Sequence, residues 1–229
     1  MKQFIQAISL CLSVLAAPAA LACVDSVVLV HGNTGSPGDW DNTYVELRAR
    51  GVPAGQIHRP SWGSSCAACN DHNGSEELPV LNAIADALSS SCTGRIDVIG
   101  HSMGVTLAAK QIVENNLAGQ VDAFVGVAGA WRGLWTCGVY PWNVWNSTCG
   151  YYGLSISSPL LDWLDGKNLG ARVYSIKSWI DQIVCATGTC LVGGVHSSRI
   201  SGEVATFTFS LGHFGLQSGT PITQVNLVL

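Results

Sequence analysis

A serine lies between two glycines in the segment DVIGHSMGVTLAAK, residues 97–110, where an apolar strand pattern gives way to a helical one. Ser102 is therefore expected at a sharp strand-to-helix turn, with Gly100 and Gly104 where a side chain would meet the neighbouring backbone. Such a turn holds the hydroxyl above the sheet edge, and the following helix directs its positive end toward developing negative charge. These features predict a serine nucleophile for acyl transfer; the alternative is a serine in an ordinary surface turn.

A serine hydroxyl needs a base to take its proton and an acid to hold that base. His213, in SLGHFGL, comes directly after a predicted strand, and Asp181, in SIKSWIDQIV, comes just after another. The carboxyl ends of parallel strands meet at one sheet edge, so Ser102, Asp181 and His213 are expected together there. Six other residues are weaker candidates. Asp162 and Asp165 precede a strand, and His196 follows no clear strand. His58 and His72 come before the serine turn, and His101 lies within it.

The oxyanion formed by attack on a carbonyl needs two hydrogen-bond donors placed in advance. One candidate is the backbone N–H of Met103, the residue after the serine. The other is the backbone N–H of Asn33, where VVLVHGNTGS turns at His31 and Gly32 after the first predicted strand. Because the predicted donor is the backbone, the Asn33 side chain is expected to be dispensable. An ordinary strand-end turn would also account for His31-Gly32.

The first 22 residues have the pattern of a cleaved secretion signal. Lys2 precedes an apolar run over residues 4–15, and Ala20-Leu21-Ala22 forms a small-residue cleavage site. No apolar run reaches the roughly 20 residues that a membrane span needs. Cleavage would leave Cys23 first, which makes a lipoprotein the alternative, although Ala20 stands where lipoprotein signals usually carry leucine. A soluble exported protein, extracellular or periplasmic, is predicted.

Composition narrows the class of protein further. The 229 residues are 48% hydrophobic and 11% charged, with a formal net charge of −4. A chain of this length buries a full core as one domain, so a monomer is expected. The acidic balance argues against a nucleic-acid partner, because phosphates require a basic face. Nothing in the sequence calls for a cofactor.

Nine cysteines are present, and Cys11 falls within the predicted signal. The remaining eight form an even set, which in an exported chain indicates disulfide bonds. Cys66, Cys69 and His72 have zinc-like spacing, but no second ligand pair follows, so a metal site is only the alternative. Nearness along the chain predicts three bonds, Cys66–Cys69, Cys137–Cys149 and Cys185–Cys190. The two cysteines that remain form the fourth predicted pair, Cys23–Cys92.

The elements that must position these residues follow from hydrophobic periodicity. Apolar strand patterns alternate with amphipathic helical patterns, which indicates a parallel sheet covered on both faces. The predicted strands are Ser26–Val30, Gln56–His58, Ile96–Gly100, Ala123–Val127, Arg172–Lys177 and Val204–Ser210. The predicted helices are Asp41–Arg50, Glu77–Ser90, Met103–Asn116, Pro159–Asp165 and Ile222–Val228.

Residues 129–158, between the fourth and fifth predicted strands, concentrate tryptophan and tyrosine. An aromatic cap or loop of this kind could take an acyl group or settle on lipid or polyester. The alternative is a small satellite core held by Cys137–Cys149. The residues predicted to contact substrate are Trp131, Trp135, Trp142 and Trp145.

Four segments together resemble the α/β-hydrolase superfamily: VLVHGNTGS, GHSMGVTLA, a D-x-I-V segment after a strand, and GHF near the end. The short chain resembles the minimal members, the small bacterial class 2 lipases. The resemblance implies a minimal α/β-hydrolase fold of about six mostly parallel strands in one domain, residues 23–229. The order Ser102, Asp181, His213 is the one expected for this fold. The implied sheet order also sets the strand at 26–30 beside that at 96–100, which would bring Cys23 and Cys92 within bridging range.

The chain is also similar to a lipase-like extracellular polyhydroxybutyrate depolymerase around the serine, the acid and the histidine. It is shorter after Gly129, where that enzyme carries much of its polymer-binding surface. A secreted lipase or carboxylesterase is therefore the predicted function, and a polyester depolymerase is the alternative. A non-catalytic binding protein on the same scaffold is a third possibility, which the complete triad disfavours.

Overall fold

The computed structural model describes residues 23–142 and 145–229, so the predicted signal at residues 1–22 lies outside the described residues. The strands are β1 Ser26–Val30, β2 Ile57–His58, β3 Ile96–His101, β4 Val121–Val127, β5 Leu134–Val139, β6 Ser155–Ile156, β7 Arg172–Lys177, β8 Leu191–Val192, β9 Val195–His196 and β10 Ala205–Thr208. The α-helices are α1 Asp41–Ala49, α2 Glu77–Ser90, α3 Met103–Glu114, α4 Pro159–Leu164, α5 His213–Gly219 and α6 Pro221–Asn226.

Six strands form one sheet in the order β10–β7–β4–β3–β1–β2, and every pairing in it is parallel. Side chains alternate between its faces: in β1, Val28 joins one buried cluster and Val27 joins the other. Helices α2, α3 and α4 contribute to the first cluster, and α1, α5 and α6 contribute to the second. The predicted fold class, a sheet of about six mostly parallel strands with helices on both faces, is confirmed.

The element bounds agree closely with the periodicity. Those of β1, β7 and α2 are as predicted, and those of the other predicted elements differ by one or two residues. The sequence does not predict α5, which contains Gly215 and ends at Gly219, because glycine is a weak helix former. It also does not predict the β5–β6 pair or the β8–β9 hairpin. The hairpin turns at Gly193-Gly194, both at positive φ, and that dipeptide was a usable turn signal.

The described cysteines form four disulfides, and all four predicted pairs are confirmed. The bond between Cys66 and Cys69 uses the sulfurs that the alternative zinc site needs. His72 is buried as well, with Nε2 2.6 Å from Thr106 Oγ1 and Nδ1 2.7 Å from Tyr152 O. These bonds occupy both ring nitrogens, so the structure does not support a metal site at these residues.

The parallel sheet brings four loops to its carboxyl edge. They follow β1, β3, β7 and β10, and they carry Asn33, Ser102, Asp181 and His213 respectively. This edge is where open α/β sheets build their sites. The longest described helix, α2, has 14 residues. Among the described residues, no helix combines the length and apolar character that crossing a bilayer demands.

Candidate active site

Ser102 lies at a tight turn between β3 and α3. Its backbone has φ 53° and ψ −126°, a conformation that a residue with a side chain rarely adopts. A Cβ at Gly100 would lie 2.7 Å from Val105 Cα, and one at Gly104 would lie 2.2 Å from His31 O. Both positions therefore require glycine, because the turn leaves no room between strand, helix and the neighbouring β1 loop.

Asp181 and His213 form a buried pair. His213 Nδ1 lies 2.8 Å from Asp181 Oδ2 and 3.0 Å from Oδ1, so the ring donates to the carboxylate. Asp181 Oδ1 also accepts from the N–H groups of Ile183 and Val184. Burial raises the pKa of Asp181, but the hydrogen bond to His213 and these N–H donors outweigh it, and the net shift is downward. The carboxylate is thereby kept ionised, and it fixes the tautomer that leaves His213 Nε2 free to accept a proton.

Two neighbours hold His213 in place. Gln182 Oε1 accepts from the His213 backbone N–H at 2.8 Å. His101 Nε2 lies 3.1 Å from His213 O, and the two rings are 4.7 Å apart. Burial lowers the pKa of His101 to about 3, so it adds no positive charge beside His213. Sequence reasoning missed Gln182; its position next to Asp181 was the only signal.

Ser102 and His213 line the same cavity, which has a volume of about 550 Å³. Among the described residues, no hydrogen bond joins the Ser102 hydroxyl to the His213 ring. In free enzymes such contacts are often long and tighten when substrate binds. The cavity is lined by Gly32, Asn33, Thr34, Gly35, Asp39, Ala67, His101, Ser102, Ile183, His213, Phe214, Gln217 and Ser218.

The two predicted oxyanion donors flank this cavity. Met103 begins α3, so its backbone N–H is among those with no partner inside the helix. Asn33 lines the cavity and follows Gly32, where an added Cβ would lie 3.0 Å from Ser102 Cβ. His31 Nδ1 donates to Gly32 O at 2.8 Å, a bond within the loop after β1.

Comparison with known proteins shows the family of this chain. The family model described as Lipase (class 2) matches residues 25–225. The chain belongs to the class 2 lipase family. Among curated proteins, no match was found.

Solved structures share the fold of this class 2 lipase at low sequence identity. Bacillus licheniformis lipase BlEst2 in its mature form has TM-score 0.60 and 14% identity over 91% of this chain and 94% of that one. The B. subtilis ydeN gene product has TM-score 0.58 and 17% identity over 89% and 97%. Aspergillus fumigatus lipase B has TM-score 0.56 and 16% identity over 87% of this chain and 52% of its own. This class 2 lipase thus spans about half of that last chain. The predicted α/β-hydrolase fold and class 2 lipase family are confirmed.

The tryptophans predicted to contact substrate lie outside the cavity. Trp131 is 2% exposed, belongs to the core and lines a second, smaller pocket instead of this cavity. Trp135 is partly exposed, and its indole N–H donates to Leu191 O at 2.8 Å. Trp142 and Trp145 are 85% and 78% exposed, yet neither lines the cavity. Burial depends on packing, so composition alone could not separate these four residues.

The apolar wall of the cavity comes instead from residues beside the acid and the histidine. Ile183 and Phe214 line it, and Phe214 is 62% exposed. Trp179 and Ile180, immediately before Asp181, are also exposed. Ile183 and Phe214 are called the apolar rim below, whereas the ring of Trp179 lies against His196 and Lys177. Sequence reasoning missed the rim, although each member lies within two residues of a predicted site residue.

Five of the six alternative acids and bases lie outside the cavity. His196 Nε2 is bonded to Ser178 O, and His58 Nε2 is bonded to Ser90 Oγ. Asp162 and Asp165 line a separate, smaller pocket. Of the six alternatives, His101 alone lines the cavity that contains Ser102.

Proposed function

We propose that this class 2 lipase is an exported serine hydrolase of carboxylic esters that works through an acyl-enzyme. The observation that carries the proposal is the buried Asp181–His213 pair, joined at 2.8 Å, at the cavity that also contains the strained Ser102 turn. A nucleophile, a base and an orienting acid at one site are the parts that acyl transfer needs. Membership of a lipase family supports an ester as the substrate.

The proposed reaction has two steps. Ser102 Oγ attacks the ester carbonyl while His213 Nε2 takes its proton, and Asp181 stabilises the imidazolium. The backbone N–H groups of Met103 and Asn33 hold the oxyanion. His213 then protonates the leaving alcohol, which departs and leaves an acyl group on Ser102. Water, deprotonated by the same ring, releases the acid through a second oxyanion.

Export is part of the proposal. It rests on the signal pattern at residues 1–22, with one catalytic domain over residues 23–229. The four disulfides support it, because such bonds persist in oxidising compartments. The bond between Cys23 and Cys92 also disfavours the lipoprotein alternative, since a lipid-anchored Cys23 would have no sulfur left for a disulfide.

The apolar rim favours esters with apolar acyl groups. Ile183 and Phe214 line the cavity and are exposed, so they can cover an acyl chain and exclude water. Polyester depolymerisation is the second candidate. It is favoured by the exposed Trp142 and Trp145, which could bind a flat polymer surface away from the cavity.

Clearing assays separate these functions. We expect the purified protein to clear tributyrin emulsions and Ser102→Ala to lose activity by at least about 10³-fold with an unchanged circular dichroism spectrum. A fluorophosphonate probe should label the wild type but not Ser102→Ala. Preferential clearing of polyhydroxybutyrate would favour the depolymerase. Absence of both labelling and clearing in a folded wild type would favour a binding protein.

A further inference from the structure

A short loop at residues 63–70 closes on itself beside the cavity. The Cys66–Cys69 disulfide spans it, and Cys69 N–H donates to Cys66 O at 3.0 Å. Asn70, only 1% exposed, completes the closure. Its Oδ1 accepts from Ser64 N–H at 2.8 Å, and its Nδ2 donates to Ser64 O at 2.9 Å. One buried amide therefore holds both ends of the loop.

This closed loop forms hydrogen bonds to both the oxygen and the nitrogen of the Asn33 side-chain amide. Asn70 Nδ2 donates to Asn33 Oδ1 at 2.6 Å, and Asn33 Nδ2 donates to Ala67 O at 2.8 Å. Ala67 itself lines the cavity. Two bonds in opposite directions fix the plane of the Asn33 amide, and the short side chain transmits that restraint to the backbone of residue 33.

A second contact supports the loop on another side. Thr148 Oγ1 lies 2.6 Å from both Ala67 O and Asn70 O, to which its one proton can donate in turn. Thr148 precedes Cys149, whose disulfide to Cys137 joins this region to the core. The loop is therefore supported from the aromatic-rich segment and directed at Asn33.

We propose that Asn70 is a positioning residue for ester hydrolysis, which holds the backbone N–H of Asn33 toward the oxyanion by clamping the Asn33 side chain. The inference rests on the function proposed above. It also replaces the expectation that the Asn33 side chain is dispensable. Because an oxyanion exists only in the intermediate and its flanking transition states, a loosened donor should lower kcat and leave KM nearly unchanged.

The test is a double-mutant cycle on Asn33→Ala and Asn70→Ala, with p-nitrophenyl butyrate as substrate. We expect each variant to lower kcat by about 10- to 100-fold with KM within about threefold of wild type. The double variant should be no slower than the slower single variant, because both changes release the same clamp. Asn115→Ala, an exposed residue at the end of α3, is the control and should match wild type.

Asn70→Asp keeps the test decisive if Asn70→Ala folds poorly. The change is nearly isosteric and retains an oxygen for Ser64 N–H, but it sets a carboxylate oxygen against both Asn33 Oδ1 and Ser64 O in place of the donor. We expect a lowered melting temperature, because the carboxylate is buried against two acceptors, but a wild-type circular dichroism spectrum at 25 °C, full final labelling by a fluorophosphonate, and the same loss of kcat. Folded variants with wild-type kcat, or with losses in KM alone, would overturn the clamp while leaving the proposed function intact. A folded wild type that neither hydrolyses the ester nor is labelled would overturn both.

Discussion

Protonation at the site is set residue by residue through burial and hydrogen bonding. Asp181 is buried, yet its partners lower its pKa, so the carboxylate remains charged against the desolvation penalty. Burial, and then the neighbouring His213, lower the pKa of His101 to about 3. The imidazole rings of His101 and His213, whose centroids are 4.7 Å apart, therefore have different roles. His213 has a counter-ion for its cationic form, whereas His101 stays neutral and packs.

The substitution Asp181→Asn tests whether the Asp181 carboxylate orients and stabilises His213. The amide preserves the shape, but it cannot stabilise the imidazolium and can force the wrong His213 tautomer. We expect kcat for p-nitrophenyl butyrate to fall roughly 10³- to 10⁴-fold, with KM little changed. Asp162→Asn, which alters an acid outside the cavity, is the control and should match wild type. A fall of less than tenfold in a folded Asp181→Asn would show that another acid holds the histidine.

At the scale of elements, the aromatic-rich segment 129–158 divides into two parts. Trp131, Leu134 and the Cys137–Cys149 disulfide belong to the main core on one face of the sheet, and not to a separate satellite core. Trp142 and Trp145 lie outside that core and face solvent. The buried part anchors it, and the exposed part is free to contact an insoluble substrate.

Replacing both Trp142 and Trp145 by alanine tests the exposed part. We expect adsorption to polyhydroxybutyrate granules or lipid emulsion to fall several-fold, because large aromatic surfaces drive such contacts. Hydrolysis of a soluble nitrophenyl ester should be unchanged, since neither residue lines the cavity. Tyr44→Ala, on α1 across the sheet, is the aromatic control in a pelleting assay. Unchanged adsorption in the double variant would remove these tryptophans from substrate binding.

On the scale of the whole molecule, three carboxylates from the amino-terminal side of the sheet lie within 4.8 Å of one another: Asp25, Asp97 and Asp122. Asp122 is paired with Arg95 and Arg172. Asp97 is fully buried, and its Oδ2 has no hydrogen-bond partner among the described residues. Burial, and then the charge of Asp25, raise the pKa of Asp97 to about 8. A protonated Asp97 relieves this repulsion, so the edge opposite the active site is sensitive to pH.

Because ionisation of Asp97 destabilises the folded state, replacing this residue by a neutral one is expected to stabilise the protein. The pKa of Asp97 is higher in the folded state than its ordinary value of 3.8, so stability is lost as pH rises from about 4 through about 8. Asp97→Asn avoids the loss. We expect it to raise the free energy of unfolding at pH 8 by about 1–2 kcal/mol, roughly 2–8 °C in Tm. The gain should shrink at pH 5, as measured by thermal melts. A variant less stable than wild type at pH 8 would contradict this assignment.

Sequence by itself determined the six sheet strands, the four disulfide pairs and the class 2 lipase family, because these depend on local periodicity, cysteine spacing and short motifs. It also singled out Ser102, Asp181 and His213 as residues that follow strands of one parallel sheet. Only the tertiary structure decided that Trp131 is buried, that Ile183 and Phe214 line the cavity, and that α5 begins at His213. The hydrogen bond between Asn33 and Asn70 was also visible only in the tertiary structure, because it joins residues 37 apart in the chain. Burial and side-chain partners come from packing between distant segments, and no local pattern encodes them.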